Sequence, residues 1–196
     1  MDFELTQDQQ IFYDSVKRFA VNELGDGAVD RANSDGYLWD VAARFAEMGL
    51  LGITIPESKG GIGGSLTDAV LAIQAIAEVC PRSADVVQAG NFGAIRTFAE
   101  YANADQLARF LPDLLVGKGV MSVGMSEPDA GSSVTELKTS ATPDGDDFLI
   151  NGNKVFGTNS GDAEVFLIYL RFGPGTEGIG SALIEKGTAG FEIGPG

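Results

Sequence analysis

Apolar positions in the first part of the chain recur at helical spacing. Thr6 forms a capping box with Gln9, and Phe12, Val16, Phe19 and Ala20 then fall on one stripe. Leu38, Val41, Phe45 and Met48 predict a second helix that ends near Gly49. Residues 50–65 hold Pro56 and the glycines Gly60, Gly61, Gly63 and Gly64, and read as a loop. Ser65 with Asp68 opens a helix through Ala77 that is apolar on nearly every side, the pattern of a central, buried element. A further helix is expected from about Ala84 to Ala102. Asn103 with Gln106 then opens a short one before Pro112, with Leu107, Phe110 and Leu111 facing inward.

Past Gly119 the apolar runs become short, rich in β-branched and aromatic residues, and separated by turns. Strands are expected at 120–124, 136–141, 148–150, 154–156, 165–171, 181–185 and 191–193. Pro143-Asp144-Gly145-Asp146 and Asn151-Gly152 are hairpin signals, because Gly and Asn tolerate positive φ. Helices and strands in separate blocks predict an α+β protein of two domains, 1–119 helical and 120–196 β. The closing 193–196 reads as a loop, and neither an internal repeat nor a low-complexity tract is visible.

The composition of the 196 residues, 44% hydrophobic and 21% charged, is that of a globular chain. Its net charge of −15 argues against duplex nucleic acid and anionic membrane surfaces as partners. The single cysteine, Cys80, cannot form an intrachain disulfide, and its place after an apolar run marks it as a buried structural thiol. The absence of histidine removes Ser-His-Asp and Cys-His chemistry and most catalytic zinc sites. Met1–Leu5 is acidic where a signal peptide would be basic, and the most apolar stretch, 69–80, is interrupted by Gln74 and Glu78. That stretch is too short to span a bilayer, so a cytoplasmic location is expected.

Two segments carry candidate chemistry. In Gly124-Met-Ser-Glu-Pro-Asp-Ala-Gly-Ser132 a hydroxyl stands beside a carboxylate, a proline stops any helix, and small residues open a turn. Such a stretch can aim backbone N–H groups and the Ser126 hydroxyl at a planar or phosphorylated ligand. Glu127 and Asp129 form an acidic pair that could suggest general acid–base work, a weak signal because exposed carboxylates are common in a chain this acidic. The second segment, 151–160, reads by itself as a β-hairpin with polar residues at its end. Together the two segments supply hydroxyls (Ser126, Thr158) and an aromatic plate (Phe156), the parts that an isoalloxazine ring needs. The glycine cluster 60–64 lacks both the Gly-Lys-Ser/Thr of a P-loop and the third glycine of a dinucleotide fingerprint, and reads as a flexible interhelical loop.

These parts, in order, resemble the acyl-CoA dehydrogenase family. The resemblance rests on Ile-Pro-Glu-x-Lys-Gly-Gly-Ile-Gly at 55–63, Gln106 with Arg109-Phe-Leu-Pro112, and Met-Ser-Glu-Pro-x-Ala-Gly-Ser at 125–132. It continues through Leu-Lys-Thr at 137–139 and Ile-Asn-Gly-Asn-Lys-Val-Phe-Gly-Thr-Asn at 150–159. It implies an N-terminal all-α domain followed by a β-barrel-like domain, with the family's C-terminal helical domain absent. The implied cofactor is FAD, held by Val123, Gly124, Met125, Ser126, Ser132, Phe156, Gly157 and Thr158. Ser126 would meet the pyrimidine edge, Thr158 the N5 region and Phe156 the ring face, while Ser132 would face the pyrophosphate and the substrate's pantetheine. Ser133 stands where the family usually has Asp, and Glu136 where a small residue is usual.

For the family member as a whole, the resemblance implies oxidation of an acyl-CoA to a trans-2-enoyl-CoA. Electrons would pass to an electron-transferring flavoprotein, within a homo- or hetero-oligomer. The family's catalytic glutamate lies in the later helical domain. No glutamate here matches it, so no catalytic residue and no metal ligand is assigned. The alternatives are a flavin monooxygenase or oxidase on the same scaffold, and a non-catalytic subunit that binds a homologous partner.

Overall fold

The computed structural model of the protein describes residues 4–194. Met1–Phe3, part of the acidic start, and Pro195 and Gly196 of the closing loop lie outside them. The chain divides into a helical unit, Met1–Gly119, and a sheet unit, Val120–Gly196.

The helical unit comprises α1 Gln7–Leu24, α2 Ala28–Ala32, α3 Trp39–Glu47, α4 Leu66–Ala77, α5 Pro81–Ala89, α6 Ala94–Tyr101 and α7 Ala104–Leu115. Helices α1, α4 and α7 begin with complete capping boxes, Thr6/Gln9, Ser65/Asp68 and Asn103/Gln106, each satisfying two of the backbone donors that a helix start leaves open. Helix α4 packs against α1 and α5 and buries Ala69, Leu71, Ala72, Ala75 and Ile76. It is not buried all round, for Leu66 and Val70 are exposed. On α3, Val41 and Phe45 are buried with the preceding Leu38, whereas Met48 is exposed. Helix α7 buries Leu111 and Leu114, leaves Leu107 and Phe110 half-buried, and continues through Pro112 to Leu115. Proline removes one N–H from the ladder, and burial of Leu111 and Leu114 on either side of Pro112 holds the last turn.

The single helix expected over 84–102 is two helices. The break lies at residues 90–93, where a side chain on Gly90 would meet the Leu51 side chain at 2.7 Å. Asn91 fills the gap. Fully buried, it donates from Nδ2 to Leu50 O and Val87 O, both at 2.8 Å, and its Oδ1 accepts from Thr54 N at 3.2 Å. Asn91→Ala leaves those groups unpaired, and the expected loss is about 2 kcal/mol, read as a lowered urea midpoint at unchanged m.

The expected flexible loop at 60–64 is a tightly bonded one. Gly61 N, Ile62 N, Gly63 N and Gly64 N donate to Pro56 O, Gly52 O, Ile55 O and Ile53 O at 2.7–3.1 Å. Lys59 Nζ donates to Ala99 O in the last turn of α6, where carbonyls lack helical partners.

The sheet unit holds β1 Met121–Gly124, β2 Ser140–Asp144, β3 Asp147–Asn151, β4 Val165–Arg171 and β5 Ile179–Glu185. Strand β4 is an almost unbroken apolar run, as suits a strand buried on both faces. One edge of it carries β5, antiparallel over Val165↔Glu185 to Arg171↔Ile179. The other carries β1, parallel over Met121↔Val165 to Gly124↔Ile168, and then β2 at Ser140↔Arg171. The β2–β3 hairpin turns at 145–146 with Gly145 at φ +65°, as its sequence predicts.

Four expectations fail here. Residues 136–141 form a strand only from Ser140, after a 3-10 turn at Val134–Glu136. Asn151-Gly152 does not turn a hairpin: Gly152 lies against Thr139, whose Oγ1 would be 2.2 Å from an added Cβ, and the chain leaves the sheet. Residues 154–156 and 191–193 are irregular, held by isolated contacts rather than a ladder, such as Phe191 edge-on to Phe166 at 4.8 Å.

Candidate functional site

Strand β1 runs directly into the first candidate segment. A Cβ on Gly124 would lie 2.5 Å from Ile168 Cδ1 and 3.2 Å from Lys154 Cγ, so the missing side chain lets residue 154 close over the strand end. Glu127 and Ala130 then exchange backbone hydrogen bonds of 3.0 and 3.1 Å, folding Pro128 and Asp129 into a tight turn. Ser132 lies past this turn, exposed. Ser133 starts the 3-10 turn without capping it by its side chain.

The two candidate segments converge. Val155 N donates to Ser126 O at 2.9 Å, Lys154 Nζ to Met125 O at 3.0 Å, and Ser122 Oγ to Thr158 O at 2.8 Å. These bonds place Val123, Gly124, Met125 and Ser126 alongside Phe156, Gly157 and Thr158, and leave Ser132 on the neighbouring turn. Phe156 stands between the two anchored points Val155 and Thr158. It has a left-handed backbone, φ +60°, and is 93% exposed. A bulky residue in that conformation costs about 1–2 kcal/mol and persists only where its surroundings hold it.

Beneath this surface lies a buried charge pair that the sequence reading passed over. The Glu127 side chain is only 6% exposed, and that of Lys154 only 12%. Glu127 Oε1 accepts from Lys154 Nζ at 2.8 Å and Thr139 N at 2.9 Å, while Oε2 accepts from Lys138 N at 2.6 Å. Burial by itself would raise the Glu127 pKa. The Lys154 ammonium, the adjacent Thr139 hydroxyl and the two backbone N–H groups outweigh burial and bring it down to about 2. Thr139 Oγ1 is buried and lies near the carboxylate without completing a hydrogen bond of good geometry. A signal for the pair was present: Lys154 is the only charged residue between Asp147 and Asp162. Asp129, by contrast, is exposed and meets Lys138 Nζ at 3.0 Å.

Arg171 supports the turn that follows. Its guanidinium donates to Leu137 O at 2.7 Å, to Gly175 O at 2.6 Å and to Thr135 O. A cavity of about 490 Å³ lies on the sheet face bearing Ser122, Gly124, Phe166 and Ile168, with Lys154 and Phe191 also in its wall. Of the expected residues it includes only Val123, Gly124 and Gly157. Ser126, Phe156 and Thr158 belong to the open surface outside it. A second cavity, about 530 Å³, lies in the helical unit, but its one charged wall residue, Lys59, already serves Ala99 O.

The surface fits a flat aromatic ligand. Phe156, uncovered and on a left-handed backbone, belongs to the same pair of segments as Ser126 and Thr158, whose carbonyls are anchored, with glycines at 124 and 157 where the segments press together. Among the described residues no group of three or more Cys, Asp or Glu is placed to hold a metal ion, and no helix is long and apolar enough to cross a membrane.

The chain is 31% identical over 196 residues to the short-chain-specific acyl-CoA dehydrogenase of Clostridium acetobutylicum, covering 99% of this chain and 52% of that protein. It is 31% identical over 197 residues to the 3-sulfinopropanoyl-CoA desulfinase of Advenella mimigardefordensis, covering 98% and 49%. The solved FAD complex of PigA matches with a TM-score of 0.88 at 28% identity, over 100% of this chain and 52% of that one. The chain thus spans about half the length of these relatives. The model of the acyl-CoA dehydrogenase N-terminal domain matches residues 6–118 and that of the middle domain residues 122–196, and the chain belongs to the acyl-CoA dehydrogenase family.

Proposed function

We propose that this chain is the flavin-holding part of an FAD-dependent acyl-CoA dehydrogenase that converts an acyl-CoA thioester to a trans-2-enoyl-CoA. The observation that carries this reading is the hydrogen-bonded union of segments 122–126 and 154–158 around an exposed, strained Phe156. When bound, FAD would supply the hydride acceptor. The residues of this chain hold and orient: backbone at 123–126 and the Ser126 hydroxyl meet the ring edge, Thr158 lies toward N5, Phe156 and Gly157 cover one face, and Ser132 serves the phosphate and pantetheine end. The base that takes the α-proton is assigned to no residue of this chain. Electron transfer to an electron-transferring flavoprotein, an oligomeric state and a cytoplasmic location belong to the same proposal.

Two experiments test it. Titration of the protein with FAD should quench flavin fluorescence saturably, and a full-length protein containing this chain should turn an acyl-CoA into its enoyl-CoA. A protein that takes up no FAD under these conditions refutes the reading. Phe156→Gly separates binding from folding. Removing the strained φ should leave stability equal or up to about 1 kcal/mol higher, while FAD binding weakens about tenfold or more. Unchanged FAD affinity would remove Phe156 from the site.

A second reading is favoured by the desulfinase among the relatives, whose name shares the CoA thioester but not the reaction. The same platform then serves a different fate of a CoA thioester, and product identification distinguishes the two.

A further inference from the structure

We propose that the Glu127–Lys154 pair is a positioning clamp that sets the separation of the two segments meeting the flavin, and so tunes the flavin's binding and environment; this rests on the FAD reading above. Each candidate segment contributes one partner, and each partner stands within two residues of a proposed flavin contact. Glu127 follows Ser126 directly, and Lys154 precedes Phe156 by two.

Lys154 Nζ bridges the segments twice, to Glu127 Oε1 at 2.8 Å and to Met125 O at 3.0 Å. The second bond fixes the carbonyl immediately before Ser126. Next in the chain, Val155 N donates to Ser126 O at 2.9 Å. The ammonium and the amide thus hold consecutive carbonyls, and the left-handed Phe156 follows at once. Glu127 anchors the clamp to the rest of the sheet unit through Lys138 N and Thr139 N, just before β2.

The chemistry suits a spacer. A buried ion pair adds little net stability over an apolar pair of similar size, but its geometry is strict. Removal of either charge alone leaves the other buried and unpaired, so single variants confuse fold with position. A neutral pair separates them. Glu127→Gln/Lys154→Met removes both charges at comparable volume. Its amide oxygen still accepts a backbone N–H while its NH2 faces another, so it should recover most of the stability lost in Lys154→Met without reaching the wild type. Arginine at 154 keeps the charge and the donors.

The test compares wild type, Lys154→Met, Lys154→Arg and the double variant by three measurements: apo melting temperature, hydrogen exchange at the Val155 amide, and FAD affinity with the visible spectrum of bound flavin. The clamp predicts that the double variant melts above Lys154→Met, yet exchanges Val155 at least about tenfold faster than wild type, binds FAD about tenfold more weakly and shows a shifted flavin band. Lys154→Arg should recover most of the wild-type values. A double variant that regains melting temperature, amide protection, affinity and spectrum together overturns the proposal and leaves the pair a purely structural one. Should the wild type bind no FAD, the flavin reading falls alone: faster Val155 exchange in the double variant still upholds the coupling of the segments, and unchanged exchange overturns it.

Discussion

Glu127→Ala is expected to destabilise the sheet unit by roughly 3–5 kcal/mol, the range seen when one partner of a buried charge pair is removed. The substitution strands three donors at once: Lys154 Nζ loses its counter-charge, and Lys138 N and Thr139 N lose their acceptor. The neighbouring exposed pair, Asp129–Lys138, is a contrasting control, and Asp129→Ala should change stability by less than about 1 kcal/mol. The same carboxylate predicts a pH dependence. Its folded pKa of about 2 lies below the ordinary 4.5, so the unfolded chain binds the proton more tightly. The stabilisation is therefore complete above about pH 4.5 and is lost as pH falls toward 2; a difference of that size corresponds to about 3 kcal/mol. Urea midpoints between pH 3 and 7 should fall more steeply toward acid for the wild type than for Glu127→Gln. Parallel curves would show that Glu127 is not held in its ionised form by folding.

Gly61→Ala is expected to cost the helical unit about 3 kcal/mol, the upper range for forcing extra atoms into a packed site. An added Cβ would fall 2.1 Å from Ile55 O and 2.6 Å from Ile55 C, and these are backbone atoms that cannot rotate aside. Relief requires breaking the bonds by which 61–64 fold onto 52–56. Gly131→Ala, where nothing lies within 4 Å, should be nearly neutral. Thermal melts of the two variants decide the matter, since 1 kcal/mol corresponds to a shift of about 4 °C in a domain of this size. Equal melting temperatures would show that the loop yields freely.

Much of the helical unit was legible because its signals are local. A capping box needs only residues three apart, and Thr6/Gln9, Ser65/Asp68 and Asn103/Gln106 all formed. The Gly145 hairpin is equally local. The misses share the opposite character. The break at 90–93 follows from the close approach of Leu51 to Gly90 and from the polar contacts of Asn91, partners some forty residues distant. The irregular course of 154–156 follows from anchoring to Ser126 and Met125 rather than from β propensity.

At the candidate site, residue types were readable: two hydroxyls, an aromatic and small glycines in two separated stretches resembling one family. By itself the chain's order of residues determined the starts of α1, α4 and α7, the change from helical to β texture after Gly119, and the family to which it belongs. Only the tertiary structure decided that Glu127 is buried and ionised, that Lys154 ties the segments together, and that Phe156 stands strained and uncovered between them. Burial and charge pairing depend on which distant groups share a low-dielectric space, a property of the folded arrangement that nearest neighbours in sequence do not encode.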